Sequence, residues 1–303
     1  PLLLAYLMRK RPLRFALALG AITLGGSFYR SLDSRTLLTA RNFFGTLRVT
    51  QDTGSDLRWL YHGTTIHGRQ STALAKQCEP LSYYHPTGPL GDAFDAYRAR
   101  PASAVVAVVG LGAGTTAAYA RAGETWTFYE INPEVVRIAE APDYFTYVSY
   151  CARGVPVSVV LGDARLRLAD APDSSYGLIV LDAFSSDAIP VHLMTREALD
   201  LYVSKLAPGG VVLFHISNRS LDLHPVVADL ARSRNLYAVA RDDANDSPHD
   251  ADKEASQWVA VARSSDDLAP LSKAPGWYRI DGDPSRRVWS DDYSNIVGAF
   301  KLR

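Results

Sequence analysis

Val105-Val106-Ala107-Val108-Val109-Gly110-Leu111-Gly112-Ala113-Gly114 decides the fold. Five consecutive apolar residues, four of them valine, that end in glycine read as a parallel strand buried on both faces. The glycines that follow let the backbone approach a ligand with no Cβ in the way. Working downstream, residues 115–122 read as helical and 126–130 as a second strand. Asn132-Pro133-Glu134 opens another helix with Pro133 in its first turn. Residues 157–161, 178–181 and 211–214 read as three further strands, the last after a Pro208-Gly209-Gly210 turn. Helices are expected at 163–170 and 195–206. Two late strands, 236–240 and 258–262, flank a polar loop at 242–255. Strand and helix alternate through at least five units, which makes the fold α/β with a doubly wound, mostly parallel sheet.

Upstream the pattern differs. Residues 42–63 alternate and are rich in β-branched and aromatic side chains around the turn Gln51-Asp52-Thr53-Gly54-Ser55, so a hairpin or small sheet is expected. A Pro- and Gly-rich loop (76–89) and a helix (91–98) lead to the main sheet. The division is therefore 1–41 as a hydrophobic and basic head, 42–98 as a small β-rich unit with its connecting loop, and 99–303 as the doubly wound domain.

The chain has 303 residues, 47% apolar and 21% charged, enough for a sizeable core and too apolar for a disordered chain. Its 32 basic and 32 acidic residues cancel, so no overall field points to nucleic acid. Residues 1–48 nevertheless carry eight basic groups against the single acid Asp33, a head of +7 on a body of −7. The head holds two apolar runs, 1–8 and 15–28, split by Arg9-Lys10-Arg11-Pro12-Leu13-Arg14. Each is shorter than the roughly 18–20 residues of a spanning helix. The reading favoured here is membrane attachment through this segment, as the last helices of a longer protein, against a core-docked helix. The basic patch before Phe15 would then lie on the cytoplasmic side, whereas a nucleoside donor argues for a cytoplasmic body. Two cysteines, Cys78 and Cys151, cannot build a disulfide framework and fit a reducing compartment; no spacing suggests a metal site.

The chemistry gathers at the strand ends, where ligands of such sheets bind near the switch in strand order. Gly110, Gly112 and Gly114 form a Gly-x-Gly-x-Gly turn; Thr115 stands where a dinucleotide motif would need its third glycine. Glu130, at the tip of the second strand, can accept hydrogen bonds from both ribose hydroxyls. Asp163, followed by Ala164 at the third strand end, can bond an adenine amino group, or simply cap a helix. These features together mark an adenosyl-nucleoside site. Asp182 emerges from the fourth strand over the reactive tail, where a carboxylate can hold a protonated amine and take its proton. Asp187 adds a second negative charge for a cation. Asp292, beside Asp291, could present an acidic edge to a polyamine; an exposed turn explains the pair equally well. His67 and His85 are weaker substrate-binding candidates. Tyr144, Phe145, Tyr147 and Tyr150 read as lid or core, and His215 as a core histidine.

The chain resembles the bacterial spermidine synthase-like family, whose members often carry this domain behind membrane helices. The resemblance rests on 61–70, Tyr83-Tyr84-His85, 109–114, 129–133, 162–165, 182–192 and 291–295. The resemblance implies a small N-terminal β-domain and a class I methyltransferase-type Rossmann domain. It implies transfer of an aminopropyl group from decarboxylated S-adenosylmethionine to putrescine, with no metal. Glu130 would bind ribose, Asp163 adenine and Asp182 the attacking amine, while Gln70 and Tyr84 would line the donor and amine pocket. The partners expected are a small polyamine and a second copy of the chain, not nucleic acid.

Two positions depart from the family. Its glycine loop reads Gly-Gly-Gly-Asp-Gly, and that acid grips the donor's terminal amine; here the residue is Ala113. Its fourth-strand motif places Asp-Pro within three residues of the first acid; here two residues are inserted between Asp182 and Asp187. Ala113 keeps open a transferase that uses ordinary S-adenosylmethionine, such as a methyltransferase. A non-catalytic, membrane-tethered polyamine or nucleoside sensor is the third reading.

Overall fold

A computed structural model describes residues 2–32, 34–99, 103–184, 189–244 and 252–301. Two helices, α1 (Leu2–Leu7) and α2 (Pro12–Leu32), form the head. Among the described residues no helix is long and apolar enough to cross a membrane. The expected membrane attachment therefore finds no support: α2 dilutes its apolar run with three glycines and two arginines.

Four antiparallel strands follow as a meander: β1 (Ser34–Asn42), β2 (Gly45–Asp52), β3 (Leu57–His62) and β4 (Thr65–Ser71). The small β-unit thus begins at Ser34, inside the segment that composition alone assigned to the head. Period-two alternation sends Leu47, Val49 and Leu60 inward, all buried. That face docks on the larger domain, and polar clamps fix its position. Arg58 donates to the carbonyls of Asp143 and Tyr144 at 2.7 and 2.6 Å, and the Asn42 amide reaches Asn132 at 2.6 Å.

The larger domain is an eight-stranded sheet. Its strands are β5 (Val105–Val109), β6 (Thr125–Glu130), β7 (Val157–Leu161), β8 (Tyr176–Leu181), β9 (Leu206–His215), β10 (Tyr237–Asp243), β11 (Ser256–Ala262) and β12 (Trp277–Arg279). Their order is β12-β10-β11-β9-β8-β5-β6-β7. The β9-β8-β5-β6-β7 half is parallel; β11, β10 and β12 are antiparallel additions. The doubly wound expectation holds. Val106 and Val108 pack on one face with Phe94 and Trp126, while Ala107 and Val109 pack on the other with Ile179 and Phe214. Burial on both faces explains why the central strands β5 and β8 are continuous apolar runs, whereas the edge strand β7 is only half-buried.

Helices α3 (Pro89–Arg98), α4 (Pro133–Glu140), α5 (Ala164–Ala169), α6 (Arg196–Lys205) and α7 (His224–Ser233) cover the sheet. Side chains of Asn132, Asp163 and Thr195 accept first-turn N–H groups of α4, α5 and α6, so the strand-to-helix turns are chemically specified. The helix expected over 115–122 is only a 3-10 turn at Thr115–Tyr119. Phe145 and Tyr147 are fully buried core residues.

Cys78 and Cys151 form a disulfide, with Cα atoms 5.3 Å apart across 73 residues of sequence. The bond removes the basis for the reducing compartment expected from two cysteines. Folding, not spacing, brings the pair together. The bond joins the loop after β4 to the single π-turn Tyr147–Cys151. Closing so long a loop contributes about 2–4 kcal/mol. Urea unfolding of a Cys78→Ser, Cys151→Ser double variant is expected to show that loss; an unchanged midpoint would mean the noncovalent clamps suffice.

Candidate active site

The sheet's strand order reverses between β5 and β8, and their carboxyl ends open a crevice there. Register decides what meets in it. Val109 pairs with Leu181, and Leu181 with Phe214, so the next residues, Gly110, Asp182 and His215, lie side by side. Gly110 adopts φ +96, and a Cβ there would stand 2.4 Å from the Asp182 carbonyl oxygen. Gly112, at φ +54, passes equally close to the His67 carbonyl of β4. The glycine turn is therefore threaded between β8 and the N-terminal sheet. Ala113 is buried against Gly68, and its N–H donates to the His67 carbonyl at 3.3 Å. A Cβ at Gly68 would stand 2.5 Å from that of Ala113, so β4 and the glycine turn meet this closely only because residue 68 has no side chain.

Glu130 ends β6 with both carboxylate oxygens engaged. Oε2 accepts from the Leu111 N–H and Oε1 from the Asn132 N–H, each at 2.9 Å. Burial holds this carboxyl above its ordinary range, against the opposing pull of its backbone donors. The carboxylate so pins the glycine turn while keeping lone pairs for hydroxyl donors. Asp163 caps α5 through Oδ1 (3.0 Å to the Leu166 N–H) and meets His192 Nε2 at 3.0 Å through Oδ2.

The Asp182 side chain is almost fully buried. Its Oδ2 accepts from the Tyr84 hydroxyl at 2.6 Å, and its Oδ1 lies 2.6 Å from His215 Nδ1. The Tyr84 hydroxyl also lies 3.1 Å from the Tyr83 oxygen, so its single proton is shared between the carboxylate and a second phenol. Burial, then the Asp182 charge, push both phenols well above their ordinary value, which keeps them protonated donors. His215 is stacked on Trp258 with centroids 4.3 Å apart and flanked by Tyr83 at 4.6 Å. Its Nε2 lies 2.7 Å from Ser217 Oγ, which accepts the Gln257 N–H at 2.8 Å.

Two adjoining cavities share His67, Tyr83 and Phe184 as a wall. One, of about 340 Å³, is lined by Gly110, Gly112, Glu130, Asp163, Ala164, Tyr84 and Asp182. These are seven of the residues singled out from the sequence. The other, of about 560 Å³, is lined by His215, Ser217 and the acids Asp242, Asp243 and Glu254. Those acids already have partners: Asp242 meets His224 at 3.0 Å, Asp243 meets Lys253 at 3.0 Å, and Glu254 meets Arg69 at 3.6 Å.

The remaining candidates lie elsewhere. Gln70 lines neither cavity: its amide is consumed by Gln77 and by both the backbone and hydroxyl of Thr146. It is a clamp between the two units. Gly114, at φ +81, lies behind the cavity, where a Cβ would strike Val148. Asp292 is exposed and lines neither cavity; its neighbour Asp291 forms a two-pronged pair with Arg165 at 2.7 Å. His85 also stands outside both cavities. Asp187 lies outside the described residues. His215 is buried as expected of a core histidine, yet it is Asp182's partner, which sequence reading missed.

No family model matches the chain. Among solved structures, a probable spermidine synthase from Corynebacterium glutamicum superposes with a TM-score of 0.60 at 16% identity, over 85% of this chain and 97% of that one. The spermidine synthase of Thermotoga maritima gives 0.54 at 11% identity over 89% and 85%. The fold is that of the spermidine synthases. A spermidine synthase in complex with the transition-state analogue AdoDATO gives 0.53 at 10% identity, again over 89% and 85%. In sequence, 86 residues are 41% identical to the polyamine aminopropyltransferase of Vibrio vulnificus (strain CMCP6). That match covers 28% of this chain and about a quarter of the relative's length.

Proposed function

We propose that the protein is an aminopropyltransferase that moves the aminopropyl group of decarboxylated S-adenosylmethionine to a polyamine such as putrescine. The observation that supports this reading is the buried Asp182 carboxylate, in the lining of a nucleoside-sized cavity that adjoins a second, larger one. In the first cavity Glu130 receives the ribose hydroxyls, Asp163 and Ala164 flank the adenine, and Gly110 and Gly112 leave the backbone open to the ligand. The acceptor lies toward the second cavity and meets the donor past Tyr83 and Phe184. Its nitrogen displaces the sulfonium sulfur directly, so the protein's work is to position, desolvate and hold charge. Asp182 supplies the negative charge that orients the acceptor's ammonium, and Tyr84 fixes that carboxylate.

Incubation with decarboxylated S-adenosylmethionine and putrescine, followed by chromatography, tests the reading. Methylthioadenosine and spermidine are expected in equal amounts; the absence of both overturns it. Glu130→Gln is expected to weaken methylthioadenosine binding about ten- to hundredfold by calorimetry, because an amide presents donors where the carboxylate accepts. A change under threefold would remove Glu130 from the nucleoside contact.

A further inference from the structure

Asp182, His215 and Ser217 form one unbroken chain. The carboxylate, accepting on Oδ1 at 2.6 Å, assigns the ring proton to Nδ1. Nε2 then accepts from the Ser217 hydroxyl at 2.7 Å, and the Ser217 oxygen accepts from the Gln257 N–H. All donors and acceptors match in one direction. Asp182, at one end, faces the nucleoside-sized cavity, and Ser217, at the other, faces the second. Asp182 already accepts two hydrogen bonds, from Tyr84 on one oxygen and from His215 on the other, so both of its oxygens are engaged. Imidazole is by nature a far stronger base than a carboxylate, and its outward nitrogen lies behind a single hydroxyl.

We propose that His215, rather than Asp182, receives the proton of the acceptor amine, by way of Ser217. This rests on the aminopropyl-transfer reading. The acceptor's N–H bond breaks toward Ser217 Oγ as the Ser217 proton passes to His215 Nε2. The C–N bond forms at the donor carbon, and the C–S bond breaks with its electron pair going to sulfur, which becomes a neutral thioether. Asp182 remains ionised and holds the imidazolium. The proton then returns through Ser217 to solvent in the second cavity. The groups facing the ring are Asp182 after β8, Tyr83 and Phe184 at its flanks, and Trp258 on β11. Asp242, Asp243, Glu254 and Arg219 line the same cavity.

The test compares wild type, His215→Gln and Ser217→Ala across pH. Glutamine can still donate to Asp182 but cannot take the proton. His215→Gln is expected to lose about a hundredfold in kcat near neutrality while methylthioadenosine affinity stays within about threefold. Its rate should climb with pH as free amine accumulates, more steeply than that of wild type. Ser217→Ala should lose less and keep the wild-type pH profile, because water can replace the hydroxyl. Wild-type kcat and pH profile in His215→Gln would overturn the relay. A wild-type chain with no turnover would overturn the aminopropyl reading instead. The relay then stands or falls on ¹⁵N shifts of His215: a proton on Nδ1 in the resting protein is required, and a proton on Nε2 alone overturns it.

Discussion

Asp182→Asn is expected to lower kcat about a thousandfold or more while leaving the fold intact. The amide keeps the shape but loses the negative charge, and it cannot accept from Tyr84 and from the Nδ1–H of His215 while its NH₂ faces one of them. The ring is left free to flip or change tautomer, and the acceptor's ammonium loses its counter-charge. Losses of this order are usual when a buried carboxylate that orients an imidazole is neutralised. Steady-state release of methylthioadenosine reads the effect. Calorimetry with the same nucleoside should show binding within about threefold of wild type. A kcat within tenfold of wild type would remove Asp182 from the reacting centre.

The second large effect is on stability. Gly110→Ala is expected to cost about 2–5 kcal/mol. Strain accounts for about 1–3 kcal/mol of it, because alanine resists φ +96. The rest is a collision, since the new methyl stands 2.4 Å from the Asp182 carbonyl oxygen and 3.1 Å from the Ala183 Cα. Both obstacles are backbone of a central strand end, which yields poorly. Calorimetric melting should fall by about 5–15 °C. Gly123→Ala is the control: its φ is +89 but nothing lies within 4 Å of the added methyl, so only strain remains. Equal losses at both positions would show that the packed turn yields to the methyl.

The strands of the parallel half were legible because each is an apolar run between turn residues, and the glycine loop named the sheet's ligand-bearing edge. Glu130, Asp163 and Asp182 were legible for the same reason: each follows or ends such a run. What sequence hid is pairing. His215 stands 33 residues from Asp182 and reads as an apolar-strand histidine until β8 and β9 are set in register, Leu181 against Phe214. Aligning the two apolar runs at their carboxyl ends would have exposed it. Gln70 was placed by resemblance alone, and here its amide serves the backbones of Gln77 and Thr146. Strand β12 has only three residues and no pattern of its own; its ladder to β10 creates it. Helix α7 follows a stretch of short polar turns that masks its start. The disulfide needed two loops, distant in sequence, to meet.

The roof of the crevice has a consequence for dissection of the molecule. Phe44, Leu47, His62 and His67 belong to the meander, yet they form the ceiling of the nucleoside-sized chamber. A fragment beginning at Pro89 would retain every parallel strand and still present an open trough. Any engineering that swaps one half against a foreign counterpart must carry the His67–Gly68 stretch with its mate at Ala113, because each occupies the volume the other surrenders.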